Sequence, residues 1–292
     1  MKKIELTNVS KSYGHVEAVK NVSLTFEQHK IYGLLGRNGA GKSTLLNMIT
    51  SRVFPDSGEI TVDGDHAIEN DYAMGKIHLM SENNYYPESM RIRDALRLAG
   101  ALYPDFCMKT ANSLAESWGL DTKKKMKELS TGMNTMFKAS VALASGAPYI
   151  FLDEPVLGLD AVHRDLFYKL VVAQFEKHPA CYVLSTHLIE EAAGIIEDVI
   201  IINAGEILVN EPTEQLLSQG YTVTGPEAVV NTFIAGRSCI GHDQLGGMKS
   251  AYLLEPLDGS QVPDGLQTTK LNLQQLFVQL TKREGGNGHD LA

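Results

Sequence analysis

The sequence predicts an α/β protein: a parallel sheet with crossover helices, a helical insertion, and a small C-terminal α+β extension. Three observations predict it. Apolar runs of strand length recur at residues 31–35, 149–152, 182–185 and 199–202, the pattern of strands covered on both faces. The first of these runs breaks into a glycine-rich turn that opens a helix. Between about residues 91 and 144 the apolar period changes from strand-like to helical.

The elements follow in order. Ile4, Leu6 and Val9, then Val22, Leu24 and Phe26, sit among polar neighbours as half-buried strands do. The run 31–35 leads to a helix that starts near Ser43 and carries Leu45, Leu46 and Ile49. Pro55-Asp56-Ser57-Gly58 is a turn into a strand over 59–62. In the insertion, Leu96, Leu98, Ala99 and Leu102, then Leu114, Ala115 and Trp118, then 141–144, suggest several packed helices. The strong patterns end near Pro212. From there to about Arg283 glycines and prolines punctuate a small α+β region, closed by a helix with the stripe Leu273, Leu276, Phe277 and Leu280. The expected domains are 1–212, with a helical subdomain over about 83–146, then the extension 213–284 and a disordered tail 285–292.

Composition excludes several classes. The 292 residues are 43% hydrophobic, enough for a full core. Lys and Arg number 26 against 35 Asp and Glu, a net charge of −9, which argues against a nucleic-acid binder. No apolar run reaches the roughly 20 residues of a membrane-spanning helix. The best, 139–152, is short and broken by Gly146 and Pro148. Met1-Lys2-Lys3 is followed by Ile4-Glu5-Leu6-Thr7-Asn8, which is no signal-peptide core. The chain is expected to stay in the cytosol. Cys107, Cys181 and Cys239 are odd in number and far apart, so they read as reduced thiols.

One motif carries chemistry outright. Gly36-Arg37-Asn38-Gly39-Ala40-Gly41-Lys42-Ser43 fits G-x-x-x-x-G-K-[ST], placed after a buried strand and before a helix. Its glycines let backbone N–H groups wrap phosphate oxygens, and the helix start adds partial positive charge. Candidate contacts to a nucleoside triphosphate are Gly36, Asn38, Gly39, Gly41, Lys42, Ser43 and Thr44. Lys42 would reach the β- and γ-phosphates, and the Ser43 hydroxyl would ligate Mg²⁺.

Further elements line up behind it: Leu129-Ser130-Thr131-Gly132-Met133, then Ile150-Phe151-Leu152-Asp153-Glu154-Pro155, then Gly158-Leu159-Asp160, then Ser185-Thr186-His187. Over residues 1 to about 212 this series resembles the ATP-binding cassette (ABC) ATPases. The resemblance implies a P-loop NTPase fold, and two copies packed head to tail around two ATP molecules. It also implies roles. Tyr13 matches the aromatic that stacks on adenine. Asp153 matches the Mg²⁺-associated acid, and Glu154 the general base that polarises water for attack on the γ-phosphate. His187 matches the switch histidine, and Asp160 the loop that couples the two sites. Ser130 and Gly132 would present a hydroxyl and an N–H to the ATP of the opposite protomer.

The sequence departs from the family in two places. Thr131 and Met133 stand where the signature has Gly and Gln. Ser81 or Glu82 stands where the family has a Mg²⁺-sensing Gln; Glu82 is the expected metal-linked residue, since a carboxylate can ligate Mg²⁺ or its water. The resemblance implies an ATP-hydrolysing subunit at the cytoplasmic face of a membrane. It would serve separate permease subunits, as a homodimer or paired with another ABC ATPase. The segment around 83–96, with Tyr85 and Tyr86, is the expected permease contact. The extension resembles that of bacterial ABC-2-type exporter subunits through Gly220-Tyr221-Thr222-Val223 and Leu273-Gln274-Gln275-Leu276-Phe277. The alternative is a soluble ABC ATPase of a cluster-assembly or other non-transport machine.

Overall fold

The computed structural model describes residues 2–257 and 262–282. The chain divides into two compact units, Met1–Ile207 and Leu208–Ala292. The tail expected over 285–292 lies outside the described residues.

The larger unit opens with the antiparallel strands β1 (Lys3–Tyr13) and β2 (Val16–Glu27). Next come β3 (Lys30–Leu35), α1 (Lys42–Ile49), β4 (Ser57–Val62), the two-residue β5 (Asp65–His66) and the single turn α2 (Asp71–Met74). β6 (Ile77–Met80) leads into the insertion, α3 (Ile92–Leu102), α4 (Met108–Ser117) and α5 (Thr131–Ala144). The chain then returns through β7 (Tyr149–Asp153), α6 (Ala161–Lys177), β8 (Cys181–Thr186), the short α7 (Ile189–Ala192) and β9 (Asp198–Asn203). The division between the units falls within β10 (Glu206–Pro212).

The strands form two sheets. One has the order β2-β1-β4-β5 and is antiparallel. The other contains β9-β3-β8-β7-β6, all parallel. α1 lies in the core between them, burying Leu45, Leu46, Met48 and Ile49. Phe26 joins the layers edge-on, its ring 5.3 Å from Tyr32 and 5.6 Å from Phe151. Every residue of β8 is buried, as are the first four of β7, which explains their unbroken apolar runs.

In α3 the buried face is Ile92, Ala95, Leu96 and Ala99, the i, i+3, i+4, i+7 stripe. Leu98 and Leu102 flank this stripe along one edge and stay exposed, so only part of the expected apolar set packs inward. Trp118, at the end of α4, is buried.

The smaller unit continues with α8 (Thr213–Ser218), β11 (Gly220–Pro226), α9 (Glu227–Ile234), β12 (Cys239–Leu245), β13 (Met248–Leu254), β14 (Gln267–Lys270) and α10 (Leu273–Thr281). Its sheet is antiparallel in the order β12-β13-β11-β14. Leu273, Leu276 and Phe277 are buried on α10, and Asn272 caps that helix by accepting from the Gln275 N–H at 2.8 Å. Cys107, Cys181 and Cys239 are free thiols.

Candidate nucleotide site

The loop between β3 and α1 explains its own glycines. Gly39 and Gly41 have φ of 79° and 111°, a region that side chains disfavour. A Cβ on Gly36 would lie 2.8 Å from the Ile202 carbonyl oxygen, and one on Gly41 would collide with that of Ala18. At Gly36 and Gly41 the loop is thus pressed against β9 and β2 with no room for a methyl group, whereas Gly39 has open space and is set by its φ alone. Lys42, buried at the start of α1, turns back over it. Its Nζ donates to the Gly36 carbonyl at 2.6 Å and stands 4.0 Å from Glu154 Oε1. Burial lowers the Lys42 pKa, against the raising effect of Glu154 and Asp153. Asn38 is exposed on the loop, and Thr44 is half-buried beside Ser43.

The end of β7 meets this loop. Asp153 accepts from the Ser43 hydroxyl at 2.9 Å through Oδ2 and from the Ser185 hydroxyl at 2.8 Å through Oδ1. Ser185 lies directly across the ladder from Asp153 on β8, a role that the Ser185-Thr186-His187 motif does not itself indicate. The next residue, Glu154, has φ of 46°, left-handed for a side chain that gains nothing locally from it. Its N–H donates to the Ser185 carbonyl at 2.8 Å, and its Oε2 lies 2.9 Å from His187 Nδ1. So Lys42, Ser43, Asp153, Glu154, Ser185 and His187 form one cluster at the C-terminal ends of three parallel strands.

A second cluster stands on α5 and α6. Ser130 caps α5, its Oγ accepting from the Met133 N–H at 3.2 Å. Asp160 caps α6, accepting from the His163 N–H at 2.9 Å, and these bonds lower its pKa. Gly132 lies so close to the 157–159 loop that a Cβ would meet the Gly158 carbonyl oxygen at 2.6 Å. Thr135 Oγ1 donates to the Leu157 carbonyl at 2.8 Å. Ser130, Gly132 and Asp160 line a cleft of about 290 Å³ with Trp118, Met133 and His163. Among the described residues no hydrogen bond or ion pair joins these three to Lys42, Glu154 or His187.

Tyr13 is half-exposed at the end of β1, with Lys11 Nζ 5.8 Å from its ring. Glu82 is exposed between β6 and α3. Lys138 Nζ donates to the Ser81 and Glu82 carbonyls at 2.8 and 2.9 Å, and no hydrogen bond among the described residues brings the Glu82 carboxylate to Ser43 or Asp153. No group of three His, Cys, Asp or Glu side chains gathers to hold a metal among those residues. Ser43 Oγ and Asp153 Oδ2 offer hard oxygen ligands without a closed cage. That suits Mg²⁺, which keeps waters and phosphate oxygens in its shell.

Against known proteins, the family model described as "ABC transporter" matches residues 19–157. The ATP-binding protein YtrB of Bacillus subtilis (strain 168) is 32% identical over 201 residues, which is 67% of this chain and 69% of the relative. The chain belongs to the ABC transporter ATP-binding family. Nod factor export ATP-binding protein I of Rhizobium leguminosarum bv. viciae is also 32% identical, over 69% of this cassette chain and 67% of that protein. The solved dimer of MJ0796, a bacterial ABC transporter cassette, has a TM-score of 0.65 and 25% identity. The match covers 72% of this chain and 98% of MJ0796. The cassette fold expected from the motifs is therefore the fold observed.

Proposed function

We propose that this cassette hydrolyses ATP between two closed cassettes and drives separate permease subunits, in the direction of export. The observation that carries the reading is the Glu154–His187 contact at 2.9 Å beside Lys42. In this reading Glu154 would accept a proton from attacking water, and the contact with His187 would hold that carboxylate in direction. Lys42 carries positive charge toward the phosphates. Ser43 and Asp153 would hold Mg²⁺, which neutralises phosphate charge when bound. Tyr13, half-exposed at the end of β1, would stack on the base. Ser130, Gly132 and Asp160 stand apart from this cluster, which fits a site completed by a second cassette.

A groove of about 210 Å³ supports a permease contact. Leu98 and Leu102 of α3 line it with Tyr85, Tyr86, Arg52 and Lys138. Exposed apolar residues beside two cations suit a docking helix of mixed character. Glu82 at its rim is the proposed coupling residue between that groove and the nucleotide. Export is favoured by the C-terminal extension. The subunit would then work at the cytoplasmic membrane face; among the described residues no helix is long and apolar enough to cross a membrane.

The test is the solution mass of Glu154→Gln with and without Mg²⁺-ATP. The change keeps the side-chain shape and removes the base. A shift from about 32 kDa to twice that value with ATP supports a homodimeric motor. A chain that binds ATP and stays monomeric points to a different cassette as its partner. A chain that binds no ATP refutes the reading.

A further inference from the structure

A charge pair joins the two clusters of the cassette, and none of the motifs contains it. Arg164 stands in the first turn of α6, four residues after Asp160. Its Nη1 donates to the Leu159 carbonyl at 3.1 Å. Its Nε lies 2.8 Å from Glu191 Oε2, a contact of charge in which the N–H is not aimed at the oxygen. Glu191 belongs to α7, the short helix that begins two residues after His187. That junction is itself tied down, since the Leu188 N–H donates to Thr186 Oγ1 at 3.0 Å.

The contacts form an unbroken path. Signature helix α5 grips the loop through Thr135 to the Leu157 carbonyl and through Gly132 against Gly158. Arg164 takes the next carbonyl, Leu159, and holds Glu191 with the other edge of its guanidinium. α7 then leads back to His187 and so to Glu154. Both members of the pair are partly exposed, at 27% and 37% of their side chains. A pair in that setting adds little to stability. The rigid fork of arginine, with donors on two edges, suits it to fixing one element against another. One turn further along α6, the Tyr168 hydroxyl is buried without a hydrogen-bond partner. Burial raises its pKa; the charge of Glu191 raises it further, that of Arg164 lowers it and that of Glu154 raises it.

We propose that Arg164 is a positioning residue: paired with Glu191, it ties the 157–160 loop to the helix behind His187 and so sets His187 against Glu154. The assignment rests on the ATPase reading above. It predicts that loop placement, which a second cassette would alter on closing, is passed to the histidine of the same chain.

The test is steady-state ATP hydrolysis by the full chain as wild type, Arg164→Gln, Glu191→Gln and the double variant. Each single change should lower kcat about tenfold and leave the KM for ATP within about twofold. The double variant should be no slower than the slower single one, because both remove the same link. Arg164→Lys, which can reach one partner but not both, should fall between wild type and Arg164→Gln. Urea midpoints read by Trp118 fluorescence should stay at the wild-type value. Single variants within twofold of wild-type kcat would overturn the assignment. So would multiplied losses in the double variant, or losses that follow the unfolding midpoint. A wild-type chain that binds ATP, dimerises with it and never hydrolyses it would instead overturn the ATPase reading, and the assignment with it.

Discussion

Acid should loosen the larger unit through one imidazole. His78 lies on β6, buried, with Nδ1 unpaired and its ring 4.9 Å from Tyr103. Burial first, and the charge of Arg52 second, push its pKa from 6.5 down to about 4. The folded chain therefore keeps the ring neutral where the unfolded chain takes up a proton. Its contribution to stability is whole above pH 6.5 and is lost as pH falls toward 4. A shift of that size corresponds to about 3 kcal/mol at full expression. Between pH 7.5 and 5.0 the linkage relation gives a loss of roughly 2 kcal/mol. The assay is urea unfolding followed by Trp118 fluorescence. Trp118 is the only tryptophan and lies in the larger unit, so the signal reports that unit alone. His78→Phe cannot titrate, and other groups cancel in the comparison. Wild type should lose about 2 kcal/mol more than His78→Phe over that pH step. Losses that agree within about 0.5 kcal/mol would refute the reasoning.

Two more outcomes follow from packing and exposure. Gly132→Ala should lower the urea midpoint by the equivalent of about 1–3 kcal/mol, since its methyl group would press on the Gly158 carbonyl; an unchanged midpoint would show that α5 and the loop can part freely. In the native protein, Cys107 should react first with a thiol reagent, because it is exposed and hydrogen bonds from Thr110 lower its pKa. Exposed Cys239 should follow. Cys181, fully buried and with its pKa raised, should react only on unfolding, and three fast thiols would refute that order.

What the sequence revealed and what it hid have separate physical causes. The 36–43 loop was legible because its needs are local: turns that only glycine makes and a lysine fixed at a helix start. The buried strands were legible because β7 and β8 are covered on both faces. Ser185 was quoted but left without a task, since its hydroxyl reaches Asp153 only through the register of β7 against β8. Arg164 and Glu191 went unremarked for the same reason: they meet across two helices. Leu98 and Leu102 looked like core because they are apolar in a helical block. They flank the stripe of Ile92, Ala95, Leu96 and Ala99 along one edge, where apolar spacing alone does not tell a covered position from an open one. His78 passed unnoticed because burial, not spacing, makes it unusual.

The left-handed turn at Glu154 has a consequence for which sequences this site can reach. The backbone there would be most comfortable with Asn, Asp or Gly. Each of those would relax the chain and each would withdraw the carboxylate from His187, by a methylene or altogether. Residues long enough to fill the gap gain nothing from the turn. A survey of all substitutions at position 154 should therefore separate into two groups, those that fold better and those that still touch the histidine, with glutamate and glutamine nearly alone in the second. A neighbourhood of that kind lets a cassette lose its chemistry in one step while gaining stability, so an inactive but sturdy partner for a heterodimer is a short walk from an active one.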